Sequence, residues 1–146
     1  MQDENFNDKS KRYLIIQCEE GEEEYETIKF ANAERVDIAF IEDKAGLTEE
    51  KLADLQLKHG AERIVVEYNG MWLLGDFFEA MPEGWMINQI MTFFDATTFL
   101  NYNANMRQLV FDKIQNTQLV VFNRYYEGVD KMELHKVVRG ISRRCD

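Results

Sequence analysis

Acidic side chains follow apolar runs in this sequence, at positions where they could bind a cation or move a proton. Glu67 closes the apolar run 63–66, and an acidic run from Glu19 to Glu26 follows the apolar segment Tyr13–Cys18. Carboxylate oxygens are the ligands that hard cations such as Mg²⁺ prefer, and an acid at the end of an apolar strand is uncommon unless it is paired or close to a cation. Glu67 is therefore the best single functional candidate. The acidic run is read either as a loop that faces a metal ion or as a solvated loop or first helical turn.

Charge and composition exclude several classes of protein. The chain has 146 residues with 17 Lys and Arg against 27 Asp and Glu, a formal net charge of −10, and residues 1–50 alone hold 15 acids and 6 bases. Phosphate contacts need an excess of Lys and Arg, so we expect no general nucleic-acid binding. No apolar stretch is long enough to predict a membrane-spanning helix. The polar N-terminus resembles no signal peptide, and Cys18 and Cys145 lie far apart, so we expect a reducing cytoplasm.

Apolar strand-like runs alternate with helical patterns along the chain. We predict strands at 13–18, 36–41, 62–68, 86–94 and 119–122. We predict helices at 22–33, 72–80 and 98–116. A further helix opens at Thr48 and stops at Gly60, and an amphipathic final helix reaches Ile141. Strands that are apolar on both faces belong inside a parallel sheet covered by helices. The pattern therefore predicts one α/β domain, doubly wound, with a mainly parallel sheet and helices on both faces.

Polar or acidic groups stand at the carboxyl ends of the predicted strands. In a doubly wound domain ligands bind at the carboxyl ends of the strands, so these groups would line one edge of the sheet. The alternative is that strand ends are polar because loops begin there, which explains most single cases and is weaker for the set. The groups are Cys18-Glu19-Glu20, Glu42-Asp43, Glu67-Tyr68-Asn69-Gly70, Asp95 and Asn123-Arg124.

The order of these motifs resembles the CobW/HypB/UreG family of metallochaperone-type, P-loop GTPases. Cys18-Glu19-Glu20-Gly21-Glu22 stands where that family has a strand followed by Asn-Glu-x-Gly-Glu, and the strand closed by Glu67 and Gly70 looks like its Walker B strand. Phe94-Asp95-Ala96 resembles its Val-Asp-Ala, and Asn123-Arg124 resembles the start of its guanine-recognition Asn-Lys-x-Asp. The resemblance implies Glu67 and Asp95 as catalytic residues near Mg²⁺, Asn123 and Arg124 as nucleotide-binding residues, and Glu19, Glu22 and Glu67 as metal ligands.

The chain departs from the family pattern at three places. None of its eight glycines is followed by Lys, so the Walker A motif that cradles phosphates is absent. Tyr126 stands where the guanine motif has Asp, and Asp130 could replace that Asp only if the loop folds back. The region 38–47 contains no Cys, so binding of a soft metal by thiolates is not supported. Because the family's P-loop would precede the segment that begins this chain, we expect a truncated form that lacks the first βα unit.

Two main functions follow, from different classes. The first is a CobW-like GTP-binding domain of the metallochaperone type, for which Mg and GTP are the cofactors implied by the resemblance; without the Walker A motif we expect this chain neither to bind GTP tightly nor to hydrolyse it. For an intact relative, the resemblance implies a client metalloprotein or a metal ion as partner. The second function is a non-enzymatic interaction module, with a degenerate GTPase-like fold whose acidic edge binds a basic partner or a divalent cation. A weaker third option is another small α/β enzyme that uses its strand-end carboxylates. A missing first βα unit would expose a sheet edge or a helix-binding face, which favours self-association.

Overall fold

The chain forms two compact units. The computed structural model describes residues 8, 10–19, 25, 26, 29, 30 and 33–143. The first unit comprises Met1–Trp72 and Phe77–Glu83, and the second comprises Leu73–Asp76 and Gly84–Asp146. Among the described helices, none has the length and apolar character needed to cross a membrane.

A three-stranded parallel sheet organises the first unit. Its strands are β1 (Tyr13–Gln17), β2 (Val36–Phe40) and β3 (Arg63–Glu67), in the order β2-β1-β3. The register places Gln17 of β1 between Phe40 of β2 and Glu67 of β3. All three strands therefore end together, which brings their carboxyl ends to the same edge of the sheet.

The central strand β1 is buried on both faces, whereas β3 is not. All five residues of β1 are buried, and the core on one face includes Tyr13, Ile15, Phe30 and Val36. On β3, Val65 is 45 % exposed. The prediction that strands of this type lie inside a covered sheet is confirmed for β1 and wrong for β3, whose residues are exposed or only partly buried.

Helix α1 (Glu49–His59) begins and ends where the sequence predicts. Its N-cap is Thr48, whose hydroxyl accepts a hydrogen bond from the Lys51 N–H at 3.2 Å. Gly60 ends the helix in the left-handed conformation, with φ 57°, which a residue without a Cβ adopts at little cost. Both ends are set by residues close to them in sequence, which is why the pattern predicts them correctly.

The remaining parts of the first unit are short. Turns of 3₁₀ helix occupy Ala33–Arg35 and Lys44–Gly46. Much of the predicted helix over 22–33 lies outside the described residues; Tyr25 and Glu26, which are described, are not helical. Helix α2 (Leu74–Ala80) begins two residues later than predicted, and its residues divide between the two units.

The second unit contains a two-stranded parallel sheet. Strand β4 (Met91–Asp95) pairs with β5 (Leu119–Asn123) over all five positions. The predicted strand over 86–94 is wrong in its first half. Ile90 marks the start of the strand pairing, because its carbonyl accepts from the Gln118 N–H and its own N–H donates to Gln118 Oε1. Strand β5 begins just after Gln118, so the residues before Met91 have no β5 residue to pair with.

The predicted helix over 98–116 is divided in two. Helix α3 (Phe99–Asn105) ends at Met106, which has φ −124° and ψ 43°, and α4 (Arg107–Asn116) begins after it. Asn105 contributes to the break, because its side-chain amide donates to the Asn101 carbonyl at 2.8 Å. Asparagine side chains of this kind compete for backbone groups and weaken a helix interior.

Helices cover one face of the two-stranded sheet. Helix α5 (Lys131–Ile141) packs its buried residues Leu134 and Val138 into the core of the second unit. Phe99 joins the strands to α3, with its ring 4.8 Å from the ring of Phe94 and 5.0 Å from that of Phe122. The buried members of this core are Phe94, Ala96, Phe99, Val110, Ile114, Leu134 and Val138.

The architecture is therefore α/β, with two small parallel sheets and five α-helices among the described residues. This confirms the α/β class and the parallel pairing. In place of the single predicted sheet, the five strands divide into one set of three and one set of two.

The first prediction concerns the buried face of α1. Leu52 is 0 % exposed and Leu57, on the same helix, is 79 % exposed. We expect Leu52→Ala to lower the free energy of unfolding by about 2–5 kcal/mol, because it removes buried methyl groups and leaves a cavity. The matched Leu57→Ala should change it by no more than about 0.5 kcal/mol. Urea unfolding followed by circular dichroism measures both, and equal effects would contradict the packing.

Candidate functional site

Glu67 lies at the carboxyl end of β3 and is held by two neutral donors. Its Oε2 accepts a hydrogen bond from Gln17 Nε2 at 3.0 Å and another from the Tyr25 hydroxyl at 3.1 Å. Gln17 reaches it because the two residues are register partners on adjacent strands. Hydrogen bonds to a charged group contribute more than neutral ones, so this arrangement fixes the carboxylate while leaving the residue exposed.

Glu19 is fixed at the same edge by the loop that follows β3. Its Oε2 accepts from the Gly70 N–H at 2.9 Å. Asn69 connects that loop to β1, since its Nδ2 donates to the Cys18 carbonyl at 3.2 Å and its Oδ1 accepts from the Met71 N–H at 2.8 Å. The structure therefore brings Glu19 and Glu67 to one end of the three-stranded sheet, as the sequence predicts.

The negative charge of Glu67 acts on two neighbouring groups. Burial, reinforced by the charge of Glu67, raises the pKa of the Cys18 thiol to about 11. The pKa of Tyr25 is raised as well, first by burial and then by the charge and hydrogen bond of Glu67. Both groups stay protonated at neutral pH, so Tyr25 remains a hydrogen-bond donor to Glu67 and Cys18 is a poor nucleophile.

The predicted metal ligands are only partly described. Glu22 lies outside the described residues, so its place beside Glu19 and Glu67 stays a prediction. Within the part of the chain that the structure describes, no three His, Cys, Asp or Glu side chains are grouped to hold a metal ion.

Asp95 ends β4 with both carboxylate oxygens engaged. Its Oδ1 accepts from the backbone N–H and the hydroxyl of Thr97, at 2.8 and 2.5 Å. Its Oδ2 pairs with Arg124 Nη1 at 3.0 Å. These contacts hold the pKa of Asp95 down at about 2, the Thr97 hydroxyl being the largest cause and the Arg124 hydrogen bond the next. Asp95 is thus ionised, and its oxygens bind protein donors.

Asn123 and Arg124 lie beside Asp95. Asn123 is its register partner on β5, and the Asn123 carbonyl accepts from the Ala96 N–H at 3.0 Å. Arg124 follows with φ 53°, the one positive φ of a non-glycine residue among the described residues. This left-handed conformation is uncommon for a residue with a long side chain and is found preferentially at functional sites. The three predicted residues of the second unit thus meet at the adjacent carboxyl ends of β4 and β5, with the Arg124 side chain 69 % exposed.

The loop after Arg124 does not bring Asp130 to the position of Tyr126, where the guanine motif has Asp. Asp130 caps α5 instead: its Oδ1 accepts from the N–H groups of Met132 and Glu133 at 3.0 and 3.1 Å. A turn closes over Tyr126, whose carbonyl accepts from the Val129 N–H. The Tyr126 ring lies so close to Gly128 that a Cβ there would collide with it.

Two contributing residues, Tyr25 and Thr97, were missed from the sequence, and Asn69 was named there only as one of the strand-end groups. Tyr25, Asn69 and Thr97 each hold a strand-end acid or its loop in place. Asn69-Gly70 is a turn signal, which indicates a role for Asn69 in the loop, and Thr97 follows Asp95 by two residues, so it could have been found from the local pattern. Tyr25 could not, because it contacts Glu67 across 42 positions of sequence.

The second prediction concerns the titration of Asp95. The pKa of Asp95 is lower in the folded chain than in the unfolded one, so the unfolded state binds more protons in acid. The stability that ionised Asp95 contributes is complete at pH values above its ordinary pKa of 3.8 and is lost as the pH falls through its folded-state pKa of about 2. We expect Arg124→Ala to move the pKa of Asp95 up toward 3.8, measured by carbon-detected NMR titration. Arg107→Ala, which removes an exposed charge from the same unit, should leave it in place; an unchanged pKa in Arg124→Ala would refute the pair.

The third prediction concerns the reactivity of Cys18. This thiol is 1 % exposed and has a raised pKa. In a Cys145→Ser background at pH 8, we expect Ellman's reagent to label Cys18 at least ten-fold more slowly in the folded chain than in urea, since the thiolate is the nucleophile. Equal rates in the two conditions would show that the thiol is accessible.

Comparison with known proteins provides no family assignment. The chain matches no model of a protein family, and no curated protein or solved structure matches it either. The resemblance to the CobW/HypB/UreG family is therefore a proposal carried by the residues of the chain alone.

Proposed function

We propose that this chain is a CobW-like domain of the metallochaperone GTPase type that retains a base-recognition site and has lost nucleotide hydrolysis. One observation carries the proposal: Asp95, Asn123 and Arg124 come together at the carboxyl ends of two paired parallel strands. The carboxyl ends of parallel strands are where α/β domains bind ligands.

Asp95 serves this site as a positioning residue. Its ion pair fixes the end of the Arg124 side chain, while the left-handed backbone of Arg124 sets the direction in which that side chain leaves β5. Arg124 is 69 % exposed and Asn123 is exposed beside it. An amide and a guanidinium in this arrangement can hydrogen-bond to the edge of a base and cover its face.

The same contacts argue against Mg²⁺ at Asp95. Both oxygens of Asp95 accept from protein donors, and one of them is paired with a cation. A Mg²⁺ ion would have to displace Arg124 or Thr97 to reach them. With no Gly-Lys pair in the sequence to hold a phosphate chain, we expect no hydrolysis of GTP by this chain.

The fourth prediction is base recognition without phosphate. We expect millimolar guanosine to shift the NMR signals of the Asn123 side-chain amide and the Arg124 Nε–H, with adenosine shifting them less. A dissociation constant near 1 mM corresponds to about −4.1 kcal/mol. Asn123→Ala should remove the preference between the two nucleosides.

The controls separate the parts of this proposal. Asn116→Ala changes an amide on α4 and should leave the preference for guanosine intact. Equal shifts with guanosine and adenosine, or none, would overturn base recognition. Micromolar binding of GTP in the presence of Mg²⁺, measured by calorimetry, would overturn the role given to the missing Walker A motif.

A second candidate function is a non-enzymatic interaction module. It is favoured by the placement of Glu19 and Glu67 at one end of the three-stranded sheet, both exposed. In this function the acidic edge binds a basic partner or a divalent cation, and nucleotide has no effect. The position of Tyr126, where the family has Asp, fits this alternative as well.

The fifth prediction tests the acidic edge with a lysine-rich peptide and, separately, with Mg²⁺. We expect peptide binding to weaken steeply as salt is added, because exposed charges are screened. Glu67→Gln should weaken it about two- to five-fold, the effect of an exposed pair that contributes about 0.5–1 kcal/mol. Glu62→Gln makes the same change in charge just before the start of β3 and should have less effect. Equal losses in the two variants, or binding indifferent to salt, would contradict an acidic site at this edge.

A further inference from the structure

We draw no further inference here: the strongest candidate, the apolar outer face of the two-stranded sheet on which Met91 is 49 % and Phe93 60 % exposed, carries none because nothing in the structure shows what covers it.

Discussion

The burial of β1 between two parallel neighbours is the constraint on which the first unit depends. β1 is covered on both faces, and β2 and β3 pair with it residue for residue. Because the three strands run in the same direction and end at the same level, the polar residues that follow them must meet. Gln17 and Glu67 form a hydrogen bond only because this register makes them neighbours. A shift of one residue would turn Glu67 to the opposite face.

The acids at the ends of β3 and β4, Glu67 and Asp95, have different hydrogen-bond partners. Glu67 accepts hydrogen bonds from uncharged groups. Its charge is therefore not cancelled locally, and it adds to burial, the larger cause, in raising the pKa values of Cys18 and Tyr25. Asp95 is paired with a cation, and its own pKa falls. A carboxylate whose negative charge is not neutralised by a neighbouring cation suits a surface that attracts cations. A carboxylate that is neutralised suits the positioning of its partner, which is the role we propose for Asp95.

Parts of the fold follow from short-range chemistry. Helix α1 begins after Thr48 because its hydroxyl can cap the first turn. It ends at Gly60 because a glycine can adopt the left-handed conformation after the last turn. The division at Met106 illustrates the limit of such reasoning. The apolar spacing continues across 98–116. The first helix nevertheless ends at the non-helical backbone of Met106, next to Asn105, whose side-chain amide donates a hydrogen bond to the Asn101 carbonyl. Periodicity alone does not weigh these competing local bonds.

The sequence by itself determined that strands alternate with helices, that acids follow the apolar runs, and that it contains no Walker A motif. These features depend on residue type and on neighbours a few positions apart. Only the tertiary structure decided that Tyr25 binds Glu67 and that Arg124 pairs with Asp95, whereas the Asp130 cap on α5 is a local contact with residues two and three positions away. The first two contacts join residues 42 and 29 positions apart. Their formation depends on strand register and on the path of the loops, because these set which distant side chains come within hydrogen-bond distance.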